Sequence, residues 1–319
     1  IASSGSISQT GGSLAVAGTL NLAAAGSATL SSASNFIGSL GAVSVGNLAL
    51  TSAGPLSQSG VLDVGGTTSI FAGGSVSLIN AANSFGGPVS VAGTSVAGGA
   101  SGNLEMASVS NQADGAISLV AGGTLTLPAQ SLDTGPSDLR LASNGGALAV
   151  SASLAGNNVS LTGRDGMTLS GPVTASGQLS LGTSAGKTIL VTGQLQASDT
   201  LIDNGIVQVG NGGNTGSIQG HVTNNAALVY NRSDSVAVGG VISGSGSQGQ
   251  QGSGTLALTA ANTYTGATVV AAGTLALSGM GSIASSSGVQ VGGSAVFDLS
   301  SMNAAQAEVG PISGSATIS

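Results

Sequence analysis

The chain has 319 residues, with 4 basic and 11 acidic side chains, one His, no Cys and no Trp, and a formal charge of −7. Soluble domains are ordinarily about one quarter charged, and four cations cannot build a phosphate-binding surface, so nucleic acid is excluded as a partner. Disorder is excluded as well: 41% of the residues are hydrophobic and mean hydropathy is +0.43, whereas disordered chains combine low hydropathy with high charge.

A membrane span fares no better. Gly, Ser, Thr or Asn interrupts every apolar run before it reaches the roughly 18–20 residues of a spanning helix. The six aromatics, Phe36, Phe71, Phe85, Tyr230, Tyr264 and Phe297, are too few for the girdles of a membrane barrel. The chain therefore reads as soluble. The absence of Cys fits a protein exported unfolded, in which an early disulfide would block passage. No signal peptide is visible and the chain opens in mid-pattern at Ile1, which reads as part of something longer.

In chain order the predicted elements are short strands of one design, apolar-small-apolar, each closed by a Gly, Ser, Asn or Thr turn. They begin at Leu14-Ala-Val16 and Leu20-Asn-Leu22, and continue through Val43-Ser-Val45, Leu48-Ala-Leu50, Leu62-Asp-Val64, Val76-Ser-Leu78 and Val89-Ser-Val91. The middle of the chain adds Ile117-Ser-Leu119, Leu139-Arg-Leu141, Val159-Ser-Leu161 and Leu179-Ser-Leu181. Val207-Gln-Val209, Leu256-Ala-Leu258, Leu275-Ala-Leu277 and Val289-Gln-Val291 complete the series. Period-two alternation turns the first and third residues inward and the middle one to solvent. No stretch has a helical period.

Strands at this spacing fit a sandwich, a barrel or a solenoid. The pattern runs the whole chain without linkers, and the inward residues are almost all Leu, Val and Ile, the set that fills a narrow stacked core. A parallel coil also pairs each strand with the coil above and below. We therefore expect an all-β fold, a parallel β-helix (β-solenoid) without significant helix. With three faces per coil, the chain makes on the order of ten to fifteen coils.

A longer motif recurs within this background: strand, Asn, one aromatic, Gly turn, strand. It runs through Asn35 and Phe36 to Val43, through Asn83 and Phe85 to Val89, and through Asn262 and Tyr264 to Val269. Asn is expected to take left-handed turn geometry there, and the aromatic reads as a plug over the core at a corner, or alternatively as an exposed contact site.

Catalytic candidates are sparse. The nearest carboxylate pairs, Asp133/Asp138 and Asp199/Asp203, lie among turn residues, where Asp is a routine turn former. His221 has no Cys or second His to join it. The glycine-rich loop Gly210–Gly216 lacks the aspartates of a calcium-binding nonapeptide. Asn158 and Asn231 open formal glycosylation sequons. These residues assign no catalytic site, no cofactor site and no metal site.

Residues 252–279, GSGTLALTAANTYTGATVVAAGTLALSG, resemble the passenger-associated repeat of bacterial autotransporters. Coils similar to those that flank that repeat run from Tyr230 to Gly246, from Val296 to Leu299 and over 310–318. Where the family has an apolar-basic segment, this chain has Gln248-Gly-Gln-Gln-Gly252, which reads as a flexible polar loop distorting its coil. Residues 1–200 are similar to the Gly/Ala/Ser-rich repeats of filamentous-haemagglutinin-like exoproteins, so two regions are expected, 1–200 and 201–319.

The resemblance implies a right-handed parallel β-helix, secreted and displayed on the outer membrane, with a translocator in the parent protein. It further implies a non-enzymatic adhesin or filament serving attachment, aggregation or biofilm. Partners would be host-cell or bacterial surface glycans or proteins, or copies of the chain assembling into fibres. A passive stalk and folding scaffold that presents another domain is the alternative, and a β-helix polysaccharide-degrading enzyme the remote one.

Overall fold

The computed structural model describes residues 1–302, 309, 311–314 and 317–318. The chain coils into a β-solenoid of about 15 turns. Its strands are short, from two-residue Ala2–Ser3 to ten-residue Phe36–Val45, and they pair in parallel. Among the described residues the one helical element is the 3-10 turn Gln112–Asp114. The expected coils flanking the repeat lie within this set, except that residues 310, 315 and 316 fall outside it.

Two compact units divide the chain, Ile1–Gly163 and Arg164–Ser319. In the first, one sheet stacks Val76, Val96, Ile117, Leu139 and Val159 directly over one another, so the chain advances 20 to 22 residues per coil. A second sheet of that unit stacks Ala28, Leu48 and Thr68, then Val89 and Met106. In the second unit a sheet stacks Ile189, Val207, Leu228, Gln248, Thr268 and Val289.

The alternation read from the sequence is the burial pattern of the strands. Val159–Gly163 alternates buried and half-buried residues, and Leu139 and Leu141 are fully buried while Arg140 between them is exposed. Each such Leu removed from water contributes about 1.5–3 kcal/mol, and the gain is repeated coil by coil. Parallel sheets are ordinarily covered on both faces. Here the second face is open, which explains why the middle position of each unit is Ser, Ala, Thr or a longer polar residue.

Coils 20 residues apart lie close enough to constrain residue size. A Cβ added at Gly73 would come within 2.2 Å of the Ala53 carbonyl oxygen, and one at Gly86 within 2.2 Å of that of Gly65. Glycine at these corners is a packing requirement rather than a sign of flexibility.

Gln248–Gln250 departs from expectation. Ser247–Gln250 is a strand, paired with Ala227–Tyr230 on one side and Thr268–Val270 on the other. Gln248 and Gln250 occupy inward positions of the stack and are 1% and 3% exposed. Backbone pairing on both sides overrides their polarity, and the Gln250 amide donates to the carbonyls of Gly252 and Gly254 at 3.0 and 2.9 Å.

Candidate binding surfaces

The three motif asparagines are interior clips, not left-handed turn formers. Asn35 and Asn83 are 0% exposed and Asn262 is 4% exposed. Asp114 is the non-glycine residue with positive φ among the described residues, so none of the three adopts left-handed geometry. Asn35 accepts from the Leu14 amide at 2.8 Å and donates to the Leu30 carbonyl at 3.1 Å. Asn83 accepts from the Leu62 amide at 3.0 Å and donates to the Leu78 and Gly99 carbonyls, both at 3.1 Å. Asn262 accepts from the Ile242 amide at 2.9 Å and donates to Ala260 and Ser282. Each side chain thus bonds buried backbone groups of its own coil and of neighbouring ones.

Two of these asparagines have a glutamine partner that sequence reading missed. Gln9 exchanges amide hydrogen bonds with Asn35 at 2.8 and 2.9 Å, and Gln58 does the same with Asn83 at 2.5 and 3.1 Å. The available signal was the repeated Ile7-Ser-Gln9-Thr-Gly11 and Leu56-Ser-Gln58-Ser-Gly60.

The motif aromatics fall in three environments, and Phe85, at the same offset from its Asn as Tyr264, is half-buried rather than plugged into the core. Tyr264, two residues after Asn262, is 1% exposed and plugs the core; its hydroxyl lies 2.7 Å from that of Thr268, which lies 3.0 Å from Ser286 Oγ. Burial pushes the Tyr264 phenol up to about 12. Phe36 directly follows Asn35, so alternation turns it outward: it is 55% exposed, its ring lying over Gly54. Phe71 is 46% exposed on the neighbouring sheet, whereas Ile37 takes the inward place beside Phe36. The corner-plug reading thus holds for Tyr264 and fails for Phe36, where the contact-site alternative fits.

The carboxylates serve turns and ladders. Asp133 Oδ1 accepts from the Gly135 amide at 2.8 Å, and Asp138 Oδ1 from the Asn158 amide and side chain at 3.1 and 3.0 Å. Asp199 accepts from Thr223 Oγ1 at 3.2 Å, and Asp203 sits where its amide donates to the Leu181 carbonyl. His221 stacks one coil beyond Asp199, but its Nδ1 accepts from the Val241 amide at 3.0 Å. That bond engages the nitrogen that would otherwise act as a base. In the loop Gly210–Gly216, Arg232 donates to the Asn214 carbonyl at 2.7 Å and to that of Gly216, while gripping Asp234 at 2.9 and 2.7 Å. The guanidinium beside Asp234 holds its carboxyl below the usual range. Among the described residues no three His, Asp or Glu side chains gather where they could hold a metal ion.

Two stretches of the chain are similar to known repeat families. Residues 250–277, which contain Asn262, Tyr264 and Thr268, match the passenger-associated-transport-repeat family. Residues 250–277 are autotransporter passenger-repeat sequence. Residues 1–40 and 37–92 of the chain each match a family described as repeats of unknown function, and each match contains one Gln–Asn pair. The chain is also 38% identical over 96 residues to "Adhesin BmaC autotransporter" of Brucella suis biovar 1 (strain 1330). That similarity covers 30% of the chain and 3% of the relative. No solved structure matches. The repeat and the adhesin relative support secretion to the cell surface and attachment to the outer membrane through the parent protein.

Proposed function

We propose that this passenger mediates attachment through the outward faces of its Ile1–Gly163 unit, as an adhesin segment and not an enzyme. One observation carries the reading: no charged side chain precedes Asp63, Phe36 within that stretch is exposed to solvent, and Phe71 just beyond it is exposed as well. A surface without charge offers little electrostatic resistance to contact, and exposed aromatics are the side chains that dominate contact energies. Similarity to a protein named an adhesin supports the same reading. So does the engagement of Asp133, Asp138 and Asp199 in turn and ladder bonds, which leaves them poorly placed as a general acid and base. The partners are surface glycans or proteins, or further copies of the chain, and a translocator of the parent protein delivers it across the outer membrane.

The test is to display the chain on a non-adherent bacterium and count attached and aggregated cells. Replacing Phe36 and Phe71 together by Ser is expected to reduce attachment while far-UV circular dichroism stays unchanged. Attachment indifferent to both substitutions would favour the passive stalk. Turnover of a polysaccharide that disappears in Asp199→Ala would restore the enzyme.

A further inference from the structure

Most corner glycines of this chain are forced by the coil beneath them, but Gly98 and Gly99 are not. They lie inside the strand Val96–Ala100, neither has a positive φ, and an added Cβ would meet nothing closer than 3.4 Å. Backbone entropy makes each glycine there about 0.5–1 kcal/mol worse than alanine. Unforced glycine inside a strand marks a place where a ligand or another backbone approaches closely.

Gly98 is in register with the inward Leu78 and Leu119, whereas the side chain missing at Gly99 leaves a trough of about 430 Å³ on the outer face of the sheet, within the range of small-ligand sites. It crosses the coils that carry Ile79, Gly99, Val120 and Arg140. Ile79 is 66% exposed and forms one apolar wall, Val120 forms another, and Ser118, two residues before Val120 on the same strand, also lines the trough. Arg140 closes the far side. It stands in register with Ser118, and it is the sole basic side chain between residues 1 and 163. The ion pairs among the described residues, Lys187–Asp165 and Arg232–Asp234, leave it out. The nearest acid in sequence, Asp138, is held by Asn157 and Asn158.

We infer that this trough binds an acidic glycan, a sugar chain bearing carboxylates, with the Arg140 guanidinium taking a carboxylate. Such a guanidinium presents a planar fork that matches a carboxylate. Ile79 and Val120 offer apolar surface to the C–H face of a sugar ring, and Ser118 offers a hydroxyl. An extended peptide fits less well. The strands Val96–Ala100, Ile117–Ala121 and Leu139–Ser143 are paired on both sides, so no edge remains for strand addition. The inference rests on the attachment reading and supplies its ligand class.

The experiment titrates the 319-residue chain with tetragalacturonate, with neutral maltotetraose and with tetraglutamate, followed by calorimetry. We expect tetragalacturonate to bind in the millimolar range or tighter and the other two to show no saturation. Arg140→Gln should weaken it about tenfold or more, the loss of one charge-assisted contact. Gly99→Val, which fills the trough, should weaken it comparably, and Lys187→Gln should leave it unchanged. Binding equal in wild type and Arg140→Gln, absence of tetragalacturonate binding, or equal binding of tetraglutamate would each overturn the glycan assignment. Cells displaying Arg140→Gln separate the two readings. If they attach normally while wild type binds no uronate, the ligand class fails and the attachment reading stands.

Discussion

Gln58 and Asn83 exchange two amide hydrogen bonds across neighbouring coils, and the same Asn83 also holds the Leu62 amide and the Leu78 and Gly99 carbonyls. One fully buried side chain thus serves four partners. Asn83→Ala removes three bonds to buried backbone and the pairing with Gln58 and is expected to cost about 2–4 kcal/mol, whereas Gln58→Ala, nearer solvent, should cost about 1 kcal/mol. Urea unfolding of both variants and the double variant checks this. Equal small losses would show that backbone pairing, not Asn83, holds the coil.

Gln248 and Gln250 predict opposite signs from one chemical change. Gln248 Oε1 is buried without a hydrogen-bond partner, so Gln248→Leu should stabilise by about 1 kcal/mol. Gln250→Leu strands the carbonyls of Gly252 and Gly254 and should destabilise by about 1–3 kcal/mol. Thermal melting of the two variants against wild type decides it.

Glycine substitutions separate forced from unforced positions. Gly73→Ala drives a Cβ into the Ala53 carbonyl and should cost several kcal/mol or abolish folding, while Gly99→Ala should be neutral or stabilise by up to about 1 kcal/mol. Soluble yield and melting temperature read both.

Alkali should act on the two tyrosines, Tyr230 and Tyr264, both buried. Burial raises both phenols, Tyr264 from 10.0 to about 12 and Tyr230 further. A folded-state value above the unfolded one means that stability is intact below pH 10 and falls as pH rises from 10 toward 12. Tyrosinate absorbance should therefore appear together with loss of β-sheet ellipticity. Titration near pH 10 with the fold intact would contradict the buried placement.

The solenoid was legible because period-two alternation and a Leu, Val and Ile interior survive in a single sequence; Leu139, Arg140 and Leu141 show it in three letters. The amide network was not. Asn35 and Asn83 were visible as a recurring letter, but their partners Gln9 and Gln58 lie 26 and 25 residues away, and nothing local gives the coil length that brings them together. Gln248 and Gln250 misled for a related reason, since polar letters at inward positions erase the alternation that identifies a strand. The trough at Arg140 was hidden because glycine at Gly99 looks like glycine at Gly73 until the atoms of the adjacent coil are known.

The Gln–Asn pairs also bear on threading fidelity. A coil displaced by one turn, about 20 residues, would lay Leu, Val and Ile on much the same partners, so apolar stacking barely separates correct from shifted windings. Polar residues in a core discriminate where apolar ones do not, as a single buried Asn fixes the alignment of a coiled coil. A shift of one turn would part Gln9 from Asn35 and Gln58 from Asn83, breaking the paired amide hydrogen bonds. The two pairs therefore act as alignment marks, spaced along a repetitive ribbon that would otherwise be nearly free to wind out of phase.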